Sequence, residues 1–399
     1  MAAIPQRSIN GSEENLYGDS AELSVGFLTH RKSGRRFLVA GHIAKDVHIK
    51  IQDSKKLPKE FKRLFKRSIP LSRVPQALGS TWTFDEVLKI LKKHLVSPVR
   101  YSYGGRGPNV AYGAAKLGAA IELIGFVGED FNKKYPGFYD GGYRTHLRKA
   151  GIAIHEIRLD PAELSSLREN TQRYGVLALK GKEIPSVYCV KDLAGNDFYF
   201  IDDIKGAHTL ASRSPIPKRL IDEHDGLFVT SGETTFNTRI IEYASNREKE
   251  VIFDIAAYGT TSSYLRKVIP RCNIILGNSF EIGLVERAFQ LDNIAQIFDH
   301  STNLNALVLE DKISCTAALH SRSLKTPLKI GPAQAERRVS SVGCCDGIAA
   351  GYLALHAQGY DDKTALQAGL LEAASVWTKE GVQEGMLSKQ QLKKKLGKP

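Results

Sequence analysis

Val342–Gly347 reads Val-Gly-Cys-Cys-Asp-Gly and leads into the Ala- and Gly-rich stretch 348–359. A small-residue turn that opens a helix presents unpaired backbone N–H groups, and these favour an anion such as phosphate. Asp346 stands beside that anion, where a base for a hydroxyl nucleophile is wanted. A carboxylate serving only as an N-cap would give the same pattern, so the motif alone leaves both readings open. A second constellation lies upstream. Tyr103–Ala111 reads Tyr-Gly-Gly-Arg-Gly-Pro-Asn-Val-Ala, followed by Leu117-Gly118 and by Gly125–Asp130. Its glycines let backbone approach a ligand closely. Asn109 is expected to begin a helix and is suited to bonding a polyol, although a tight turn with an N-cap Asn fits equally. The cluster lacks the GxGxxG spacing of a dinucleotide-binding turn.

These residues need elements to position them. Residues 36–43 read as a buried strand. Regular alternation follows residue 100: a helix over 109–117 closed by Gly118, a strand over 120–127 and a helix over 143–150. Short apolar strands are expected at 226–230, 250–255, 273–277 and 305–309, with helical stretches between most of them. That order predicts a largely parallel sheet covered on both faces, with ligands beyond the carboxyl ends of its strands. Residues 186–191 and 197–201 alternate apolar and polar around Ala194–Asn196, which predicts a hairpin in a separate small sheet.

The chain of 399 residues carries a formal charge of +13. Residues 31–100 hold 18 Lys and Arg against 5 Asp and Glu, an excess equal to that of the whole chain. The basicity is therefore local, which argues against a general nucleic-acid-binding surface. Within that segment Leu57, Phe61, Leu64 and Phe65 recur at helical spacing, with Lys59, Lys62, Arg63, Lys66 and Arg67 on other faces. Thr83–Glu86 reads as a capping box for a helix carrying Val87, Leu88, Leu91 and Leu95. Residues 1–35 are expected to be a mobile extension, and the Lys-rich tail 389–399 to be solvated. No apolar run approaches the roughly 20 residues that span a bilayer. The N-terminus lacks a signal-peptide pattern, and five cysteines without metal spacing point to the cytoplasm.

Taken together, the motifs resemble those of the ribokinase-like (PfkB) family of carbohydrate and nucleoside kinases. The family opens with Gly-Gly-x-x-x-Asn-x-Ala, then Leu-Gly and Gly-x-Val-Gly-x-Asp, matched from Gly104 to Asp130. Its closing Gly-Ala-Gly-Asp turn is matched by Gly343–Asp346. Leu38–Asp46 looks like its first strand and substrate-binding Asp, and Asn278–Glu281 like its Asn-x-x-Glu motif. Gly41-His42 and Asp197–Asp202 lean toward the archaeal nucleoside-kinase branch. The resemblance implies a three-layer α/β/α fold with a mostly parallel central sheet and a small β lid. It implies one kinase domain over 36–388, with the lid built from parts of 47–103 and 186–202 and a basic helical insertion over about 52–100.

It further implies ATP-dependent phosphorylation of a hydroxymethyl group on a sugar or nucleoside. Asp346 would be the catalytic base, and the N–H groups of Gly343, Cys344 and Cys345 the anion hole. Asp46, Gly104, Gly105 and Asn109 would hold the acceptor. Asn278 and Glu281 would organise Mg²⁺ through water, although Asn at N-cap with Glu at N3 is also a helix-start pattern. For Asp46 a solvated strand-end carboxylate is the plain alternative. Three departures stand out, and the first two motivate a second hypothesis, a degenerate kinase fold that senses a nucleotide or sugar. Cys345 stands where the family has glycine, predicting crowding and a disfavoured positive φ. Leu309–Cys315 has lost the glycines of a nucleotide-site stretch and gained two acids. The interval from Asp46 to Gly104 is long. That insertion is expected to pack its apolar stripe on its own domain rather than on a membrane or nucleic acid, and an exposed lid sheet would allow pairing between subunits. Cys344 and Cys345 beside a helix start would have a lowered thiol pKa unless they are small buried filler. His42 and His356 show no partner in the sequence, so packing is expected for both.

Overall fold

The computed structural model describes residues 34–397, apart from 65–67, 80–81, 168–171, 196, 258 and 312–313. Ten strands form one sheet, ordered Leu328–Ile330, Thr316–Ser321, Ala306–Asp311, Ile274–Asn278, Glu250–Asp254, Gly226–Val229, Arg36–Ala40, Ala120–Gly128, Val176–Leu179 and Glu156–Leu159. The first two pair antiparallel. The rest pair parallel. The Phe37–Ala40 run explains its central place. Phe37 and Val39 pack with Ile348, Tyr352 and Leu366 in one core. Leu38 and Ala40 pack with Ile240, Ile241 and Leu265 in the other. A strand buried on both faces requires such an uninterrupted apolar run. The predicted three-layer α/β architecture is what forms.

The hairpin joins a second sheet of five strands, ordered Ser68–Pro70, Asp197–Ile201, Ser186–Asp192, Ala44–Ile51 and Arg100–Gly104. Side chains alternate along Ala44–Ile51. Val47, Ile49 and Ile51 face outward into a third core, where the basic segment covers them with Leu57, Phe61, Leu64, Val74, Leu78, Val87 and Leu91. The apolar stripe of the insertion thus packs on its own domain, as expected. It does so as 3₁₀ turns, Ser54–Lys56 and Lys59–Leu64, rather than one amphipathic α-helix. Pro58 accepts from the Phe61 N–H and sets the tighter spacing. Phe65, Lys66 and Arg67 lie outside the described residues. The Thr83–Glu86 capping box forms as predicted and starts the helix Phe84–Lys92. Phe61 is fully buried, edge-on to Phe198 with centroids 6.3 Å apart. Phe61→Ala therefore costs about 3–5 kcal/mol, read as a lower midpoint in urea unfolding.

Two boundaries differ from expectation. The predicted 109–117 helix begins at Arg106, one turn early, because Gly105 with φ +88° supplies the turn and Asn109 is interior. The tail forms a capped helix, Lys389–Leu396, docked through buried Leu392. Nearly all of the expected N-terminal extension lies outside the described residues.

Candidate active site

The parallel strands end in chemistry. Thr230 follows one strand; Asp254 and Asn278 close two others; Glu310 is the penultimate residue of a fourth. Facing them is the N-terminus of the helix Cys344–Ala357. Gly343 is its cap, with φ +78°, and a Cβ there would lie 2.4 Å from the Val382 methyls. Asp346 sits in the first turn and makes no capping bond, so the N-cap reading falls. The expected anion hole is only partly free, since the Cys344 N–H leans on Ser341 O at 3.4 Å. The Cys345 and Asp346 N–H groups belong to a first turn that has no intrahelical acceptors for them.

Asp346 is 9% exposed. Its Oδ2 accepts from Asn109 Nδ2 at 2.7 Å. Its Oδ1 lies 3.5 Å from Arg106 Nε. Burial raises its pKa above the usual carboxylate range, against the pull of Arg106 and Asn109. A carboxylate so placed accepts a proton more readily than one in water. Asp46, on the inner face of the small sheet, is 7% exposed rather than solvated. Gly104 leaves room for it, since a Cβ there would fall 2.2 Å from Asp46 Oδ1. Gly105 folds against the His42 carbonyl, where a Cβ would come within 2.2 Å. Burial, then Asp346, then Glu384 push the Asp46 pKa from 3.8 to about 8.

The sign follows. The folded state holds this proton more tightly than the unfolded chain, so stability is lost as pH rises from about 4 toward about 8. Asp46→Asn, neutral at every pH, gives a higher Tm than the parent at pH 7.5 and abolishes that part of the pH dependence, measured by calorimetry.

Arg106, which sequence reasoning passed over as a variable position inside the glycine motif, is the hub. Its Nη2 donates to Asp254 Oδ1 at 2.6 Å and its Nη1 to Glu281 Oε1 at 3.1 Å. Asp254 also accepts from Thr230 Oγ1. Burial raises the Asp254 pKa to about 7, against Arg106. Asn278 and Glu281 form the capping box, with Asn278 Oδ1 accepting from Phe280 and Glu281 N–H and Glu281 Oε2 from Asn278 N–H. They meet Asp346 only through Arg106.

The departures at Cys345 and 309–315 find physical answers. Cys345 lies within the helix, so no positive φ is required of it. Burial and then Glu310 push its thiol pKa well up, opposite to the activated thiol considered from sequence. Glu310 is 1% exposed, and neither carboxyl oxygen has a hydrogen-bond partner among the described residues by distance and angle; its neighbour is the Cys345 thiol. Burial and then Asp254 push its pKa well above the usual carboxylate range, which disfavours its charged form. His42 packs edge-on against His208. His356 does have partners, Glu250 and Asp362.

A cleft of about 990 Å³ separates Asp46, His48, Lys50 and Arg100 on the inner sheet face from Val339–Val342 and Glu380 opposite. A parallel sheet covered by helices, a small sheet across its carboxyl edge, and a buried carboxylate in a helix's first turn between them define the ribokinase fold class. The pfkB family carbohydrate kinase profile matches residues 82–172. The nucleoside kinase of Methanocaldococcus jannaschii is 24% identical over 284 residues, spanning 70% of this chain and 80% of that protein. Its crystal structure aligns with TM-score 0.67 over 91% of this chain and 99% of its own, at 19% identity. Burkholderia thailandensis nucleoside kinase in complex with inosine aligns at TM-score 0.64 and 18% identity, over 89% and 96%. Arabidopsis thaliana ribokinase complexed with ribose and ATP aligns at 0.63 and 14%, over 92% and 100%. The chain is thus similar to the ribokinase-like (PfkB) kinases in one segment of its sequence and shares their fold over most of its length.

Proposed function

We propose that this protein is an ATP-dependent phosphotransferase acting on a hydroxymethyl group of a sugar or nucleoside. The observation that carries the reading is the Asp346 carboxyl, raised in pKa and gripped by Asn109, near enough to the buried Asp46 for the two carboxyls to act on one another. The acceptor hydroxyl lies between Asp46 and Asp346. Asp346 takes its proton as the oxygen forms a bond to the γ-phosphorus and the bond to the bridging oxygen breaks. The N–H groups of Gly343 and Cys345 face the charge that develops, joined by that of Cys344 once it leaves Ser341 O, each such donor being worth about 10²–10³ in rate. Arg106 stands within reach of the same charge. Asn278 and Glu281, with hard oxygen donors among more carboxyls than the single guanidinium offsets, suit Mg²⁺ held through water; such an ion would neutralise phosphate charge. The small sheet acts as the lid that excludes water.

All five cysteines are free, which supports a reducing cytoplasm. No helix among the described residues is long and apolar enough to cross a membrane. A homodimer through the lid would have to use its edges, because the insertion covers the outer face. The same burial leaves that apolar stripe unavailable to a lipid surface. Cys345 lies in the helix and needs no positive φ, which removes one of the grounds for the sensor reading. An ATP-consumption screen over sugars, sugar phosphates and nucleosides tests the proposal: transfer to at least one supports it, and ATP binding without transfer to any overturns it.

A further inference from the structure

The Asn109 grip on Asp346 is the end of a buried chain of hydrogen bonds that no motif contains. Asn109 Oδ1 accepts from Gln383 Nε2 at 2.8 Å. Gln383 Nε2 also donates to Tyr143 Oη at 3.1 Å. Gln383 Oε1 faces His146 Nε2 at 2.8 Å, and His146 Nδ1 faces Asp140 Oδ2 at 2.9 Å. His146 and Gln383 are 0% exposed and Asn109 is 3% exposed. The His146 ring is stacked between Tyr103 and Tyr112, with centroids 3.7 Å and 4.6 Å away.

Each orientation in this chain dictates the next. An ionised carboxylate only accepts, so Asn109 must turn its NH₂ toward Asp346. Its carbonyl then faces Gln383, which must present its own NH₂. The Gln383 carbonyl therefore faces His146 and calls for a hydrogen on Nε2, while the Asp140 carboxylate calls for one on Nδ1, so the ring meets both only with a hydrogen on each nitrogen. Were Nε2 to lack a hydrogen, two acceptors would meet, and the low-energy answer is to turn both amides over. Asn109 would then show its carbonyl to Asp346. The charged groups around His146 are Asp140, Lys116 and, through Asp140, Lys149. Those around Asp346 are Arg106, Glu281, Asp46 and Asp254.

We propose that His146 and Gln383 are positioning residues that set the proton affinity of Asp346 by fixing which end of the Asn109 amide faces it. The inference rests on Asp346 being the base, and its test is chosen to stand apart from turnover. His146→Phe keeps a ring between the tyrosines and removes the donor. His146→Gln keeps an N–H donor at about the Nε2 position.

The Asp346 carboxyl is titrated by its ¹³C shift in the full-length protein, with the acid limb of kcat/KM measured alongside. His146→Phe leaves the Gln383 carbonyl without a donor and frees both amides to turn over when Asp346 is protonated, so the Asp346 pKa is expected to rise by about one to two units. His146→Gln is expected to hold the parent value. Below the parent limb, kcat/KM of the Phe variant falls about tenfold or more, and above it recovers. An Asp346 pKa unchanged by Phe, or raised equally by Gln, overturns the proposal. Should His146→Phe fail to fold, Gln383→Met makes the same break one link nearer and must give the same rise. Loss of turnover in the parent enzyme would sink the kinase reading while leaving the titration decisive for the relay.

Discussion

Replacing Asp346 by Asn lowers kcat by about 10²–10⁴ while the protein stays folded. The two side chains have the same shape, and Asn still accepts from Asn109 Nδ2. What disappears is the site for the acceptor's proton. Affinity for ATP stays within a few-fold, because in the proposed reaction the phosphates face backbone N–H groups and Arg106. Tm does not fall. Burial raises the Asp346 pKa, so the folded protein disfavours the charged form, and a neutral isostere removes that penalty. The pH profile of the parent carries the same information. The protonated carboxyl cannot accept, so kcat/KM falls as pH drops through the raised pKa. The acid limb therefore lies above the ordinary carboxylate value of about 4. Steady-state kinetics of the Asn variant within threefold of the parent would refute the assignment.

Arg106→Gln has the second largest effect, and it reaches stability as well as rate. Three carboxyls, Asp254, Glu281 and Asp346, gather on one guanidinium that is mostly buried. Removing one partner of a buried pair costs about 3–5 kcal/mol, because the remaining charges are left uncompensated. Turnover falls by about 10²–10³ through loss of a preorganised cation beside the transferred group. The acid limb also shifts. Arg106 lowers the Asp346 pKa, so its loss raises that pKa and moves the limb to higher pH. Adding Asp254→Asn to the variant separates the two effects. It removes one orphaned charge and restores part of the Tm, measured by thermal denaturation, and leaves kcat low. Recovery of kcat with Tm would reduce Arg106 to a structural tie.

The sequence by itself determined the class of fold and the ends of the site. Uninterrupted apolar runs such as Phe37–Ala40 announce strands buried on two faces, and a turn with positive-φ glycine at 343 announces a helix start with a carboxylate in its first turn. Such signals are local: they depend on side-chain polarity and backbone freedom within a few residues. The hairpin around residue 195 and the Thr83 cap were legible for the same reason. Only the tertiary structure decided what surrounds the carboxyl. Arg106 lies 240 positions before Asp346, and His146 and Gln383 are 237 apart, so no periodicity relates them. It alone distinguished a buried Asp46 from a solvated one and showed Glu310 in a buried place that disfavours its charge. Proton affinity is set by desolvation and by charges a few ångströms away, and both come into being when distant segments close on one another.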